Sequence, residues 1–261
     1  MNHNLTADRS GVRLGRQAAR PEDLARVPRV SAALGSSAIE VPKTIDFLPT
    51  MSSIGMDGND KYGCCMYAAL AHLIQSQAAQ MGKERVFTED EVLAMYSRDT
   101  GFVKGNDATD NGANMYDALT AVVAHGFCEV QVEGFALVES TSFEKCHEAL
   151  YVGGGLLWGV DLATAQQRQH RWRMELGLGD AANRPGSWGG HAVHQVKSVI
   201  LPNGVSDETV TSWGAPLPVD QTFRDGGQVS EVYVMWIKGF VPNIPGFDHA
   251  RFLSAIREVR L

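Results

Sequence analysis

In the first half of the chain, apolar residues recur at helical spacing between glycine and capping signals. The segment that begins at Cys65, CMYAALAHLIQSQAAQMG, consists mainly of good helix formers and is expected to stop at Gly82. In the following segment, FTEDEVLAMYSRDTG, Thr88 precedes Glu91 by three residues, which is the spacing of a capping box. A third segment, NMYDALTAVVAHGF, ends at Gly126. The first half is therefore predicted to be mainly helical.

The second half is dominated by patterns typical of β-strands. A short helix is predicted over SFEKCHEALYVGG, and strands are predicted over GLLWGVDLA, GGHAVHQVKSVIL, ETVTSWG and SEVYVMWIKGFV. Pro216, Pro218 and the pair Gly226–Gly227 indicate a loop before the last strand, and HARFLSAIREVRL predicts a terminal helix. Helices followed by strands favour an α+β fold with a cleft between the two halves.

Length and charge suggest one large domain preceded by a tail. The chain has 261 residues, of which 44% are hydrophobic, and a formal net charge of -7, which argues against nucleic acid as a partner. Residues 1–40 carry six arginines against four carboxylates, so we predict an extended Arg-rich arm over 1–40 and a folded domain over 41–261. Neither a membrane-spanning run nor the apolar core of a secretory signal is evident, so we expect no membrane partner and a cytoplasmic or virion-associated location.

Two of the four cysteines are adjacent, at the start of the first predicted helix. Four cysteines are too few for a disulfide scaffold, and Cys128 and Cys146 are interpreted as buried free thiols. Cys64 and Cys65 are either small apolar core residues, or one of them is a nucleophile. A helix N-terminus lowers the pKa of a thiol, which favours Cys65 for the second role.

A nucleophilic thiol needs a base, and His191 is the best candidate. Two glycines precede it and a predicted strand follows, a context that suits an imidazole facing a substrate. His72 lies two turns along the same helix as Cys65 and cannot reach its N-terminus, and His194 points to the other face of the strand, so both are interpreted as structural. The Asp- and Asn-rich segments DGNDKYG and KGNDATDNGAN lack EF-hand spacing and are interpreted as turns, so no metal and no cofactor are expected.

Taken in order, NDKYGCCMYAAL, GGHAV and TSWG resemble the papain-like cysteine peptidases. In that family a cysteine starts a helix, a histidine enters a strand, and a polar residue precedes Ser-Trp-Gly. The resemblance spans about residues 46–237, and phage and bacterial members are the most similar. It implies an α+β papain-like fold, with a helical N-terminal half and an antiparallel sheet or barrel in the C-terminal half.

The resemblance also implies roles for individual residues. Cys65 would be the nucleophile and His191 the general base and later acid. Asn59, six residues before Cys65, stands where the family has a glutamine that donates to the oxyanion. Thr211 stands where the family has an asparagine that orients the imidazole, and its shorter hydroxyl would hold the ring less firmly. Glu231 is interpreted as structural.

These observations support two functional hypotheses. The first is a papain-like cysteine peptidase that cleaves peptides or proteins with a Cys–His dyad and a weakened third member. The alternative, which Thr211 and Cys64 favour, is a catalytically impaired papain-like scaffold in a phage virion or another assembly, with residues 1–40 docking on a protein partner. A third, weaker hypothesis is a transglutaminase or acyltransferase with the same two residues, but the sequence contains no acyl-acceptor signature that supports it. No inhibitory propeptide is evident, since residues 1–40 are short and polar for a segment that would cover a cleft alone.

Overall fold

The structure is a computed structural model that describes residues 8–34, 39–175, 177 and 180–258. The strands are β1 Arg16–Gln17, β2 Thr44–Asp46, β3 Ala113–Asn114, β4 Val132–Val138, β5 Leu156–Leu162, β6 Gly189–Ile200, β7 Ser206–Ser212, β8 Ala215–Asp220 and β9 Val229–Ile237. The α-helices are α1 Pro21–Leu24, α2 Val30–Leu34, α3 Cys65–Gln80, α4 Glu89–Thr100, α5 Met115–His125, α6 Phe143–Gly153, α7 Asp180–Asn183, α8 Gln221–Asp225 and α9 His249–Glu258.

Seven of the strands form one antiparallel sheet behind the first group of helices. Its order is β4-β9-β5-β6-β7-β8, and β2 pairs with β6 outside this path. The long strand β6 pairs with β2, β5 and β7, and α3 packs against it. The predicted α+β arrangement of helices before an antiparallel sheet is confirmed.

Helix α3 is buried almost along its whole length, which fixes the position of its N-terminus. Apolar residues occur all around it, as expected for a helix enclosed by the core. The buried side chain of Gln77 donates to the carbonyl groups of Gly153 and Met235 at 2.7 and 2.6 Å and accepts from the backbone N–H of Ile237 at 3.0 Å. These bonds join α3 to the end of α6 and to β9, so the helix is held by hydrogen bonds as well as by packing.

The capping box predicted for α4 is present, whereas five strands were not predicted: the short β1, β2 and β3 and the longer β4 and β8. Thr88 accepts from the backbone N–H of Glu91, and the Glu91 carboxylate accepts from that of Thr88. Strand β8 lies where Pro216 and Pro218 indicated a loop. It is an edge strand, where a missing backbone donor can face solvent. Strand β4 pairs with β9 at the opposite edge, and its Leu137 also forms an isolated parallel bridge with Arg29. No helix among the described residues is long and apolar enough to cross a membrane.

The described part of the first forty residues packs on the rest of the chain. The backbone N–H of Leu137 in β4 donates to the carbonyl of Pro28 at 2.8 Å, and Val27, Val30 and Leu34 are buried in the common core. Further upstream, β1 pairs in parallel with β3. The boundary at residue 40 remains a prediction.

Candidate active site

Cys65 is the first residue of α3, and its thiol is fully buried. Burial raises the pKa of this thiol, although hydrogen bonds from the backbone of Ala192 and Gly15 and the charge of Arg16 act in the opposite direction. The neighbouring thiol of Cys64 donates to the carbonyl of Asp57 at 3.4 Å, and burial raises its pKa well above the ordinary value. Of the two adjacent cysteines, Cys65 is therefore the one surrounded by groups that stabilise a thiolate.

His191 lies near the start of β6, directly before Ala192, whose backbone contacts the Cys65 thiol. Its ring stacks on Trp213 with a centroid separation of 4.4 Å and an interplanar angle of 9°. Nε2 is 2.8 Å from the hydroxyl of Ser212, whereas the buried Nδ1 has no hydrogen-bond partner among the described residues. Burial lowers the pKa of His191 to about 3, and the charges of Arg16 and Arg9 contribute to the shift. The imidazole is therefore neutral in this state.

Thr211 does not contact His191 in the way that the resemblance implied. Its hydroxyl is 3.1 Å from His194 Nδ1, and Ser212 takes the place beside His191. The reason is register, because Thr211 lies directly opposite His194 in the β6–β7 pair. Ser212, at the end of β7, comes just before Trp213, which has φ of 50°. A hydroxyl still orients the imidazole, as expected, but it belongs to the next residue.

Asn59 is buried on the segment that leads into α3. Its backbone N–H donates to the carbonyl of Met56 at 2.9 Å. The side-chain oxygen is enclosed and has no hydrogen-bond partner in the part of the chain that the structure describes. A buried amide with an unused polar atom is unusual in a folded protein, and it is available for a ligand.

A second group of polar side chains, separate from Cys65 and His191, was missed as a unit by the sequence analysis. His72 Nε2 is 3.0 Å from an Asp57 carboxylate oxygen and 3.1 Å from the carbonyl of Gly55, and His72 Nδ1 is 3.0 Å from the Thr211 hydroxyl. That hydroxyl also meets His194, whose pKa is lowered well below its ordinary value by burial and by His72. The Thr211 hydroxyl thus bridges Nδ1 of His72 and Nδ1 of His194, donating to one ring and accepting from the other. The chain of bonds joins α3 to β6 and β7.

Thr211→Val should lower the free energy of unfolding by about 1–3 kcal/mol, because it leaves two buried imidazoles without their shared partner while keeping the side-chain shape. Urea denaturation followed by circular dichroism measures the change. Thr209→Val, on the same strand but only partly buried, is the matched control and should change the unfolding free energy by less than about 0.5 kcal/mol. Equal effects of the two substitutions would contradict the hydrogen-bonded chain.

Residues 13–20 of the N-terminal arm cross the candidate site without helical structure, whereas the later part of the arm contains α1 and α2 and is not extended as predicted. The backbone of Gly15 lies near the Cys65 thiol and acts to lower its pKa, and the Gly15 carbonyl accepts from the N–H of Ala113 at 2.8 Å. A Cβ at Gly15 would overlap the carbonyl oxygen and Cα of Gly63, two residues before the cysteine. On the opposite wall, the carbonyl of Arg16 lies where a Cβ of Gly190 would be. Only glycines allow backbones to come this close.

The arm covers this part of the body although it is short and polar, which the sequence analysis did not expect of a segment acting alone. The arm does not need to fold alone, because β3 provides a strand edge and the body provides buried partners for its arginines. Arg9 lies over the ring of Trp213 at 5.1 Å, and Arg13 pairs with the buried Asp110 at 3.1 Å. With the arm in place, neither Cys65 nor His191 is exposed to solvent.

Among the described residues, no cluster of histidine, cysteine and carboxylate side chains is arranged to hold a metal ion. The four cysteines are free thiols.

The fold was compared with those of known proteins. No family model matches the sequence, and no curated protein does. Among solved structures, procathepsin B S9 from Trypanosoma congolense is 14% identical, with a TM-score of 0.62, over 90% of this chain and 89% of its own. Xylellain, a cysteine protease from Xylella fastidiosa, is 15% identical, with a TM-score of 0.59, over 87% and 96%.

A ragweed pollen allergen, a cysteine protease in its proform, is 16% identical, with a TM-score of 0.56, over 77% of this chain. The chain spans 66% of the length of that proform. Similarity of this kind, at low sequence identity and over most of the chain, establishes the architecture. The chain therefore has the papain-like cysteine protease fold.

Proposed function

We propose that this chain is a papain-like cysteine peptidase, a thiol-dependent amide hydrolase, whose own N-terminal arm occupies the active site in the resting state. The observation that carries the proposal is the pairing of two features. The Cys65 thiol at the N-terminus of a buried helix lies against the backbone beside His191, and an extended segment of polypeptide lies across it. A site that accommodates a peptide backbone over a thiol is suited to peptide substrates.

The chemistry follows once the arm leaves. The Cys65 proton passes to Nδ1 of His191, the ring nitrogen that has no partner in the resting state, while Ser212 holds Nε2. The thiolate attacks the substrate carbonyl, and the backbone N–H of Cys65 and the side-chain NH2 of Asn59, the donor end of its amide, stabilise the oxyanion. The imidazolium then donates its proton to the leaving amine. Water hydrolyses the resulting thioester, and His191 accepts the proton of that water.

The resting state is latent for an electrostatic reason. Burial raises the pKa of Cys65 and lowers that of His191, so both groups are neutral and no ion pair forms between them. Arg16 and Arg9 add positive charge near the imidazole, which opposes its protonation. Removal of the arm admits water and takes these two charges away. Both changes favour the thiolate–imidazolium pair.

The pH profile of Cys65 alkylation tests the proposal. In a chain with Cys64→Ser and Gly15→Leu, whose residue 15 side chain has no room against Gly63, iodoacetamide should label Cys65 well below the unperturbed thiol pKa of about 8.5. His191→Ala should move the labelling to higher pH, because the ion pair is lost. Peptide mapping by mass spectrometry measures the labelling.

Hydrolysis of a denatured protein by the same opened chain provides the second readout. It should require Cys65, so Cys65→Ala abolishes it, whereas Cys64→Ala leaves most of it. An alkylation profile that follows a free thiol with or without His191, together with no hydrolysis, would overturn the proposal.

That outcome would favour the second candidate, a catalytically impaired papain-like scaffold that serves in a phage virion or another assembly. The observation in its favour is Ser212, a single hydroxyl where an amide would hold the imidazole more firmly.

A further inference from the structure

The side chain of Arg16 enters a pocket of carboxylates beside the candidate active site. One guanidinium nitrogen is 2.7 Å from a Glu231 carboxylate oxygen, and a second pairs with Asp161. The Arg16 and Glu231 side chains are only 2% and 1% exposed, whereas Asp161 is 33% exposed at the mouth of the pocket. The second oxygen of Glu231 accepts from the Tyr233 hydroxyl at 2.9 Å. We call Asp161, Glu231 and Tyr233 the carboxylate pocket.

The strands of the central sheet build this pocket, so it does not depend on the arm for its shape. Glu231 lies opposite Gly159 in the β5–β9 pair, and Asp161 lies two residues further along β5. A Cβ at Gly159 would overlap the Glu231 side chain and would lie 2.9 Å from Met115 Sδ, so glycine leaves the room that the carboxylate uses. Glu231 was interpreted from the sequence as structural. It is a buried acid whose carboxylate pairs with Arg16 of the N-terminal arm.

A cation stabilises the charged form of a buried carboxylate in this position. Burial raises the pKa of Glu231, and Arg16 opposes that shift. The pocket holds two carboxylates and one guanidinium, so it carries negative charge even when it is occupied. An apolar side chain would leave the acids buried and unpaired, and an acidic side chain would be repelled.

The geometry next to the thiol connects this pocket with substrate choice. Gly15 lies against the backbone of Gly63, two residues before Cys65, and the next residue, Arg16, fills the pocket. A peptide that lies along the same path and presents a backbone to the thiol therefore presents an adjacent side chain to the carboxylates.

We propose that the carboxylate pocket is a specificity pocket that selects substrates with an arginine, or less strongly a lysine, next to the residue at Cys65, and that Arg16 is its intramolecular occupant. The inference rests on the proposed peptidase function. Arginine is favoured because its planar fork reaches both carboxylates, whereas an ammonium group presents one charged atom.

Binding of a peptide in trans tests the pocket without any reliance on catalysis. The full chain with Gly15→Leu is the receptor, and tryptic cleavage after Arg16 verifies that the arm is released. The probe is a fluorescent peptide with the sequence of residues 9–20, and a second probe has citrulline, the neutral isostere, in place of Arg16. Fluorescence anisotropy should show binding about 30-fold or more weaker for the citrulline probe, since a buried charge loses its partner.

Two controls make the comparison specific. Citrulline in place of Arg20 should weaken binding by less than about fivefold, because the Arg20 side chain is 47% exposed and its partners are the exposed Asp117 and Asp23, which lies outside the probe sequence. Glu231→Gln in the receptor should remove most of the difference between the arginine and citrulline probes. The probe comparison on the unaltered pocket remains decisive if that variant fails to fold.

Equal binding of the two probes would contradict the proposal that the carboxylate pocket selects arginine. So would the absence of binding of the arginine probe to a receptor whose arm is released. Hydrolysis of peptides with arginine or citrulline at this position separates the two proposals. A binding preference without hydrolysis would support the pocket and contradict the peptidase, whereas hydrolysis without a preference would do the reverse.

Discussion

Gly15→Leu should increase the rate of Cys65 alkylation by about 100-fold. A side chain at this residue would overlap the backbone of Gly63, which cannot retreat because its N–H donates to the buried carboxylate of Asp110 at 3.0 and 3.1 Å. We expect this overlap to destabilise the docked arm by about 3 kcal/mol, which corresponds to about a 100-fold larger population of the undocked state and hence to the expected increase in rate. Iodoacetamide labelling at pH 7 in a Cys64→Ser background, followed by mass mapping, measures the rate.

Gly11→Leu is the matched control within the same arm. Gly11 is exposed, and no described atom outside its immediate neighbours lies within 4 Å of the position that a Cβ would take. Its alkylation rate should stay within about twofold of the parent. If both variants label Cys65 as slowly as the parent, the arm is not what protects the thiol.

Arg224→Met should lower the free energy of unfolding by about 3–5 kcal/mol, because it leaves the buried carboxylate of Glu208 without its cationic partner, and the neutral amide of Gln195, which donates to it at 2.8 Å, does not balance the charge. Arg224 donates to Glu208 at 2.9 and 3.3 Å and to the carbonyl of Ser140 at 2.8 Å, and it lies 4.7 Å from the ring centre of Trp158. The Arg224 and Glu208 side chains are 4% and 0% exposed. Urea denaturation measures the change.

The comparison for this buried pair is a surface pair on the same strand. Arg171 pairs with Asp207, the residue before Glu208, and the two side chains are 42% and 36% exposed. Arg171→Met should alter the unfolding free energy by less than about 1 kcal/mol, since exposed ion pairs contribute little. A cost at Arg224 no larger than this would mean that Glu208 finds another partner or becomes protonated.

Local signals in the sequence were sufficient for the main elements of the fold. The apolar run from Cys65 and the capping box at Thr88 each depend on residues within a few turns, and both helices form as predicted. Strand β4 gave no comparable signal, because Glu133 and Gly134 interrupt its apolar run. Its pairing with β9 is a long-range interaction that local patterns do not contain.

In the candidate site, too, local motifs were predicted from the sequence, whereas contacts between distant segments were not. Motif order identified Cys65 and His191, which the fold places at adjoining positions on α3 and β6. It could not distinguish Thr211 from Ser212, because the choice depends on the register of β7 against β6. The polarity of the arm suggested a solvated tail, although its arginines find carboxylates far away along the chain.

Gly15 and Cys65 belong to one polypeptide, which makes the masking of the thiol independent of protein concentration. A tethered segment acts at an effective concentration in the millimolar range for short linkers, however dilute the protein is. Dilution therefore does not unmask the thiol, and a free peptide must outcompete a partner that is always present. Scission of the chain between the arm and the body would turn the same contacts into a bimolecular complex that dilution can separate.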